Sequence, residues 1–368
     1  MKEVKYQDFS LKLHNQALAG NKRIPLNATL ELTYRCNNKC IHCYCSLSEH
    51  DRGAAEGELS RNEIEKLFDE LEGMGCLWLL ITGGEPLLRP DFREIYLSAK
   101  KHGFIVTVFT NGILINDEIA DLFLEFHPFA VELTMYGATK ETYEKITRVK
   151  GSYVRYREGL QRLLKRKVRV KLKAMAMTMN RHEMHGMNEI ADELGCHFRF
   201  DPLLHKRIDA GTYSDPERYR LSPDEVVMLD TEFPERMQAY KEFCQGTVTE
   251  GKESDTVIDC GAGSSTLHVM PDATVLPCAM LLNKGISLRK KALKEIWDSD
   301  FLCVVREKKK FCLKCDSCAL QSFCEQCAGW SFVEHGRIDC EAQYLCNIAH
   351  KRAESFSFLK GWQRERYP

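Results

Sequence analysis

No run of apolar residues in this chain approaches the roughly 20 that a bilayer-spanning helix requires. The opening stretch MKEVKYQDFSLKLHNQ alternates charged with apolar residues and lacks the hydrophobic segment of an export signal. Neither sign of charge dominates: 52 Lys and Arg against 53 Asp and Glu leave a net charge of −1. The charge balance therefore gives no case for nucleic acid or a membrane as partner. Low-complexity segments and solenoid repeats are also missing. These absences point to a cytoplasmic chain. Its 368 residues, 44% of them hydrophobic, are enough to bury one large core and a smaller second one.

What the chain has in abundance is cysteine, 17 residues in all. In a reducing compartment they favour metal or redox chemistry over disulfides. They gather at 36–45 and again at 244–346. Between the groups lie only Cys76 and Cys196, each beside apolar residues, which reads as small buried hydrophobes.

The first half has a strand–helix rhythm. Strands are expected at 28–33, 77–82, 104–110, 129–137, 168–178 and 197–202. Helices are expected at 60–75, 91–103, 117–126, 152–166 and 181–195. Ser60 and Glu63 have the spacing of a capping box, and Gly73 or Gly75 can stop that helix. Such alternation implies parallel strands with crossover helices. Six of them make a partial (β/α)6 TIM-like barrel, whose site lies at the C-terminal ends of the strands. The segments RCNNKC, TGGEP, TNG and MYG each follow a predicted strand, so they fall on one rim. The rhythm stops near residue 205. A loop at 206–220 and a helical stretch at 222–244 lead to short segments, turns and cysteines from Asp255 onward. The division expected is an extension at 1–27, a barrel at 28–205, a bridge at 206–254, a small cysteine-rich α+β domain at 255–350 and a tail at 351–368.

Cys36, Cys40 and Cys43 are separated by three and then two residues. On a loop, that spacing lets three thiolates converge on a cubane and leaves one iron without a protein ligand. A zinc site is the alternative, with His42 or Cys45 as fourth ligand. CxxxCxxC after the first strand, together with GGEP (83–86) after the second, resembles the radical S-adenosylmethionine (SAM) enzymes over roughly residues 28–202. The resemblance implies a [4Fe–4S] cluster on Cys36, Cys40 and Cys43, whose open iron is chelated by SAM. An electron from the cluster splits the sulfonium, and the 5′-deoxyadenosyl radical takes a hydrogen atom from substrate. It implies cofactor contacts from Gly83, Gly84, Glu85 and Pro86, with Glu85 an acceptor for an ammonium group. Thr110, Asn111 and Thr134 would meet the ribose, Arg148 the SAM carboxylate and Tyr44 the adenine. An electron donor such as flavodoxin or ferredoxin is implied too.

The later cysteines resemble the SPASM extension, which holds auxiliary iron–sulfur clusters in many of these enzymes. Cys315, Cys318 and Cys324 fit C-x2-C-x5-C. The family's next spacing is three residues, whereas Cys327 follows after two; Ala273 stands where the pattern has glycine. By this resemblance Cys315, Cys318, Cys324 and Cys346 would bind an outer cluster, and Cys260, Cys278 and Cys327 an inner one. Cys244, Cys312 and Cys340 are candidates for its fourth ligand, Cys303 reads as packing and Cys45 has no assigned role. A pair of zinc ribbons is the alternative for this tail.

The stretch LTMYGATKETYEKITRVKGSY (133–153) resembles the peptide-maturing members, which implies modification of a ribosomally made precursor peptide. About 27 residues precede the first strand, which suggests a separate leader-binding protein as partner. Two rivals stand beside this reading: an enzyme acting on a haem-type tetrapyrrole precursor, and a metal-stabilised binding or electron-carrier protein without SAM chemistry. The run 150–173 contains ten Lys or Arg and one Glu, which fits a solvated face. The methionines of KAMAMTMN (173–180) alternate, so one face would line the barrel interior. No catalytic acid or base is assigned, although Glu132, Asp201 and His205 lie near strand ends.

Overall fold

The computed structural model describes residues 23–44, 47–208, 214–247 (backbone only from 242), 261–282, 285–299, 315, 318, 320 and 324–356. Cys45, Cys260, Cys303 and Cys312, and the side chain of Cys244, lie outside the described residues.

Strand β1 (Asn27–Glu31) opens the fold, followed by a short parallel pair, β2 (Arg35–Cys36) and β3 (Leu47–Ser48). Five further strands complete the barrel: β4 (Trp78–Thr82), β5 (Ile105–Thr110), β6 (Ala130–Thr134), β7 (Val170–Met175) and β8 (His197–Asp201). Strands β1, β4, β5, β6, β7 and β8 pair in that order, all parallel, as the rhythm of the sequence predicts. Alternate residues of β5 and β7 are buried, because one face of each strand meets the helical layer and the other faces the barrel lumen.

The helices are α1 (Arg52–Gly57), α2 (Arg61–Gly73), α3 (Phe92–Lys101), α4 (Asp117–Glu125), α5 (Lys140–Thr147), α6 (Ser152–Lys165) and α7 (Met184–Glu193). Ser60 caps α2 through the expected reciprocal box with Glu63. The left-handed Gly75 follows that helix and turns the chain into β4. Helix α2 buries Ile64, Leu67, Phe68 and Leu71 in the main core. Each such side chain contributes about 2 kcal/mol of hydrophobic stabilisation. The predicted helix at 181–195 begins instead as a 3-10 turn, Arg181–Glu183, and the short α1 and α5 had no separate signal in the sequence.

Beyond the barrel, the stretch expected at 222–244 is two helices, α8 (Pro223–Glu232) and α9 (Pro234–Thr247). Pro234 breaks the run because it cannot donate a backbone hydrogen bond. The cysteine-rich region is joined to the barrel edge to edge. Strand β9 (Thr266–Val269) pairs in parallel with β1 and carries β10 (Thr274–Leu276) and β11 (Ile286–Ser287) with it, so nine strands of the described residues share one sheet. Helices α10 (Leu293–Asp298), α11 (Ala328–His335) and α12 (Gln343–Ser355) follow. Ala273, in the β9–β10 turn, adopts φ +71°, the left-handed conformation that a glycine there would take without strain.

Candidate functional site

Strand β1 delivers the cysteine loop to the rim. Its backbone is tied to α5 by Lys39 N–H to Thr147 O at 2.9 Å and Ile41 N–H to Ile146 O at 3.0 Å. The TGGEP loop after β4 is set into it. Gly84 N–H donates to Thr33 O at 2.7 Å and Glu85 N–H to Arg35 O at 2.9 Å. A Cβ at Gly84 would lie 2.3 Å from Arg35 O, and one at Gly83, whose φ is +138°, would lie 2.5 Å from Thr33 O. The two glycines are thus required by the approach of one loop to the other.

Glu85 holds the next loop. Its side chain is fully buried and accepts from the Thr110 hydroxyl at 2.7 Å, Asn111 N–H at 2.8 Å and Leu87 N–H at 3.1 Å. Burial raises its pKa to about 7 against the lowering effect of these donors. Asn111 in turn reaches the cysteine loop, donating to Asn37 Oδ1 at 2.7 Å. Beneath both loops, Glu58 accepts from Arg35 at 2.8 Å and from Arg89 at 3.3 Å, and Arg89 also pairs with Asp91 at 2.7 Å.

These loops surround a cavity of about 620 Å³. Cys36, Cys40, Cys43, Tyr44, Gly83, Gly84, Thr110, Asn111 and Thr134 all line it. Glu85 and Pro86 are buried away from the cavity lining, and Arg148 does not line it either. Arg148 instead ends α5 in the left-handed conformation, φ 55°, near enough to Cys40 to favour its thiolate. Among the methionines of 173–180, Met175 lines the cavity and Met177 is fully buried, because β7 ends at Met175.

Burial pushes the thiol pKa of Cys36 well up, with Cys40 and Glu85 adding to it. Burial likewise raises Cys40 to about 12, opposed in part by a hydrogen bond from Tyr136 of the MYG loop. Buried thiolates at this spacing need a cation among them. Among the described residues, four buried polar atoms of the same loop also have no partner: Asn37 Nδ2, Asn38 Nδ2, Asn38 Oδ1 and His42 Nδ1. Burial lowers the His42 pKa to about 4. Among the described residues no three His, Cys, Asp or Glu side chains close on a single-ion site; the thiols share the lining of a much larger volume. Soft thiolate donors around an open space fit an iron–sulfur cluster with a ligand beside it.

Residues 30–194 match the sequence profile of the Radical SAM superfamily. The chain contains a radical SAM domain. In sequence it is similar to the AdoMet-dependent heme synthase of Methanosarcina barkeri, with 27% identity over 83% of this chain and 92% of the relative. It is also similar to AlbA, the antilisterial bacteriocin subtilosin biosynthesis protein of Bacillus subtilis, with 26% identity over 83% of this chain and 67% of the relative. Its fold is similar to that of SuiB from Streptococcus suis bound to S-adenosylmethionine, with a TM-score of 0.71 at 16% identity, over 94% of this chain and 84% of that one. The family implies SAM and a [4Fe–4S] cluster, and the thiols and orphaned polar groups of the cysteine loop fit them.

The radical SAM cavity continues into residues the sequence did not single out. Lys173 of β7, Arg199 of β8, and Arg236, Tyr240 and Glu325 from beyond the barrel line it, alongside Asp201 and His205. Asp201 is raised by burial and then by the charge of Glu325, against the Leu203 N–H it accepts from at 2.8 Å. His205 is lowered by burial and sits between Tyr44 and Trp330, at ring separations of 5.7 and 5.9 Å. Glu132 lies in the lumen, bound by Arg199 at 2.7 Å and Lys171 at 3.7 Å.

In the tail, Cys318 N–H donates to Cys315 O at 3.0 Å, closing a turn between them. Cys324 is raised to about 12 by burial first, with Cys346 and Cys318 close enough to add to it. Cys327 stands at the N-cap position of α11, without a side-chain capping bond, and Cys278 follows β10. Cys340 O accepts from Gln326 at 3.2 Å. Among the described residues no helix is long and apolar enough to cross a membrane.

Proposed function

We propose that this radical SAM enzyme cleaves SAM reductively and modifies a ribosomally synthesised precursor peptide by a crosslink, an epimerisation or a residue excision. Cys36, Cys40 and Cys43 would hold the cluster. Gly83 and Gly84, with Thr110, Asn111, Thr134 and Tyr44, would hold SAM. When bound, these groups supply a 5′-deoxyadenosyl radical able to take hydrogen from an unactivated C–H. The protein's own part is to exclude water and to orient. Glu85 keeps the TGGEP and TNG loops in one piece, Tyr136 steadies the Cys40 sulfur, and the lumen side chains aim the substrate.

The observation that carries the reading is the gathering of the cysteine, TGGEP, TNG and MYG loops on a single cavity inside a radical SAM domain. The similarity to AlbA supports a peptide substrate. Glu85 is assigned to the loop junction instead of the SAM ammonium, because its side chain's hydrogen bonds among the described residues run to Thr110, Asn111 and Leu87. In the tail we assign Cys315, Cys318, Cys324 and Cys346 to an outer auxiliary cluster, supported by the closeness of Cys346 and Cys318 to the Cys324 thiol, whose pKa they help to raise. Cys278 and Cys327, with Cys260, are assigned to an inner one. A small redox protein such as flavodoxin or ferredoxin would deliver the electron.

The test is 5′-deoxyadenosine formation after anaerobic reconstitution with iron, sulfide, SAM and dithionite. The wild type should exceed a no-protein control. Cys40→Ala should form none and lose roughly four irons per chain, the content of one cubane. Undiminished product in that variant would remove the assignment. The similarity to a heme synthase supplies a second reading. Acceleration of SAM cleavage by an iron tetrapyrrole, with none by precursor peptides, would favour it.

A further inference from the structure

The lumen of the barrel carries more positive than negative charge at one level. In the paired registers of β6, β7 and β8, Thr134 lies beside Lys173 and Lys173 beside Arg199. In-register neighbours on parallel strands point to the same face, and all three line the cavity. One level deeper, Glu132 lies beside Lys171. Glu132 is engaged by Arg199 and Lys171 at 2.7 and 3.7 Å.

Lys173 is the cation left over. Among the described residues its ammonium has no hydrogen bond or ion pair; its close contact is the face of Phe109, with Nζ 2.8 Å from the ring centroid. Burial holds its pKa well below the usual lysine range, Glu132 opposing and Arg199 adding to the shift. The carboxylates nearer the mouth are occupied elsewhere. Asp201 accepts from Leu203 N–H and feels Glu325, Arg236 and Arg199, while Glu325 pairs with Arg352 at 2.6 Å. A half-buried cation that faces a cavity with no ion pair among the described residues is placed to meet a ligand's counter-charge.

The cofactors do not supply it. By the resemblance to the family, the SAM carboxylate would be taken up by the cluster's open iron and the thiolates by the other three, so neither is free to pair with Lys173. An anion for Lys173 is then left to the substrate. Resting on the peptide-modifying reading above, we infer that Lys173, flanked by Thr134 and Arg199, anchors a carboxylate of the substrate, so that the residue presented to the radical is acidic or adjoins an acidic side chain. The carboxylate would take the place of the Phe109 face as the lysine's partner, and the ion pair would hold the neighbouring C–H within the cavity.

The probes are N-acetylglutamic acid α-amide and its uncharged isostere N-acetylglutamine α-amide. Their binding to reconstituted, SAM-loaded enzyme is read by calorimetry and by thermal shift, without turnover. The wild type should prefer the glutamyl probe. Lys173→Met should weaken that binding about tenfold or more, the usual consequence of removing one partner of a buried charge pair, and Lys173→Arg should restore part of it. Equal binding of the two probes by the wild type overturns the inference, as does a Lys173→Met variant that keeps the preference. SAM affinity by equilibrium dialysis separates the other source of a carboxylate. A tenfold loss of SAM binding in Lys173→Met, with glutamyl binding intact, would give the lysine to the cofactor and likewise overturn the inference. SAM cleavage by the wild type, assayed separately, tells whether the radical SAM reading itself holds when the probes fail.

Discussion

The hydroxyl of Thr110 donates to the buried carboxylate of Glu85 at 2.7 Å, joining the loop after β5 to the loop after β4. The same carboxylate accepts from the backbone of Asn111 and Leu87, so a single side chain closes three donors, two of them in buried hydrogen bonds. Glu85→Ala leaves these donors without an acceptor. It should cost about 3 kcal/mol, read as a lower urea midpoint. Glu85→Gln keeps one acceptor oxygen and removes the penalty of a buried charge, so it should be milder. Equal losses in the two variants would mean that shape, not hydrogen bonding, holds the junction.

Ala273 occupies the left-handed region at φ +71°. An L-residue with a side chain is strained there by about 1 kcal/mol, which glycine avoids at the cost of a freer unfolded chain. Ala273→Gly should therefore raise the melting temperature slightly or leave it level. A clear fall would show that the Ala273 methyl, which is fully buried, contributes more by packing than the turn loses by strain.

Arg289, which follows β11, donates to Glu63 of α2 at 2.7 Å. This hydrogen bond, ahead of the Ser60 contacts, lowers the Glu63 pKa from 4.5 to about 2. The folded value lies below the unfolded one, so the contact's stability is fully present above the unfolded pKa. It is lost as pH falls from about 4.5 towards about 2. Both side chains are partly exposed, so salt should weaken the effect. In melting curves of iron-free protein, Glu63→Gln should lower the melting temperature slightly at neutral pH, flatten the acid limb over that window and meet the wild type at its low-pH end. An acid limb identical to the wild type would give the pair no part in acid stability.

Much of the barrel was legible because its signals are local. Runs such as LWLLIT mark strands, Ser60 and Glu63 mark a helix start, and short loops of glycine, cysteine and asparagine fall at strand ends. The lumen was not legible, for a physical reason. VRVKLK alternates basic and apolar residues, and alternation identifies two faces without saying whether the polar one meets solvent or the inside of a closed sheet. By its sequence Lys173 belongs to a solvated run, whereas in the fold it lines the cavity. Arg236, Tyr240 and Glu325 had no local signal because segments far along the chain bring them to the mouth. Glu85 was identified as a site residue by its motif, yet its hydrogen-bond partners come from a loop that the motif does not contain.

The pairing of β1 with β9 has a consequence for the order of synthesis. The Glu31 carboxylate and the His268 ring meet at 2.9 Å across 237 positions of sequence. A ribosome thus releases β1, the strand that leads into the cysteine loop, long before the strand that covers its outer edge. During that interval β1 presents an unpaired backbone edge, the kind of surface that recruits other chains. A version cut short after β8 would keep that edge permanently. Truncation is therefore a poor way to learn what the tail cysteines do, and single substitutions at those cysteines, in the uncut chain, are the cleaner route.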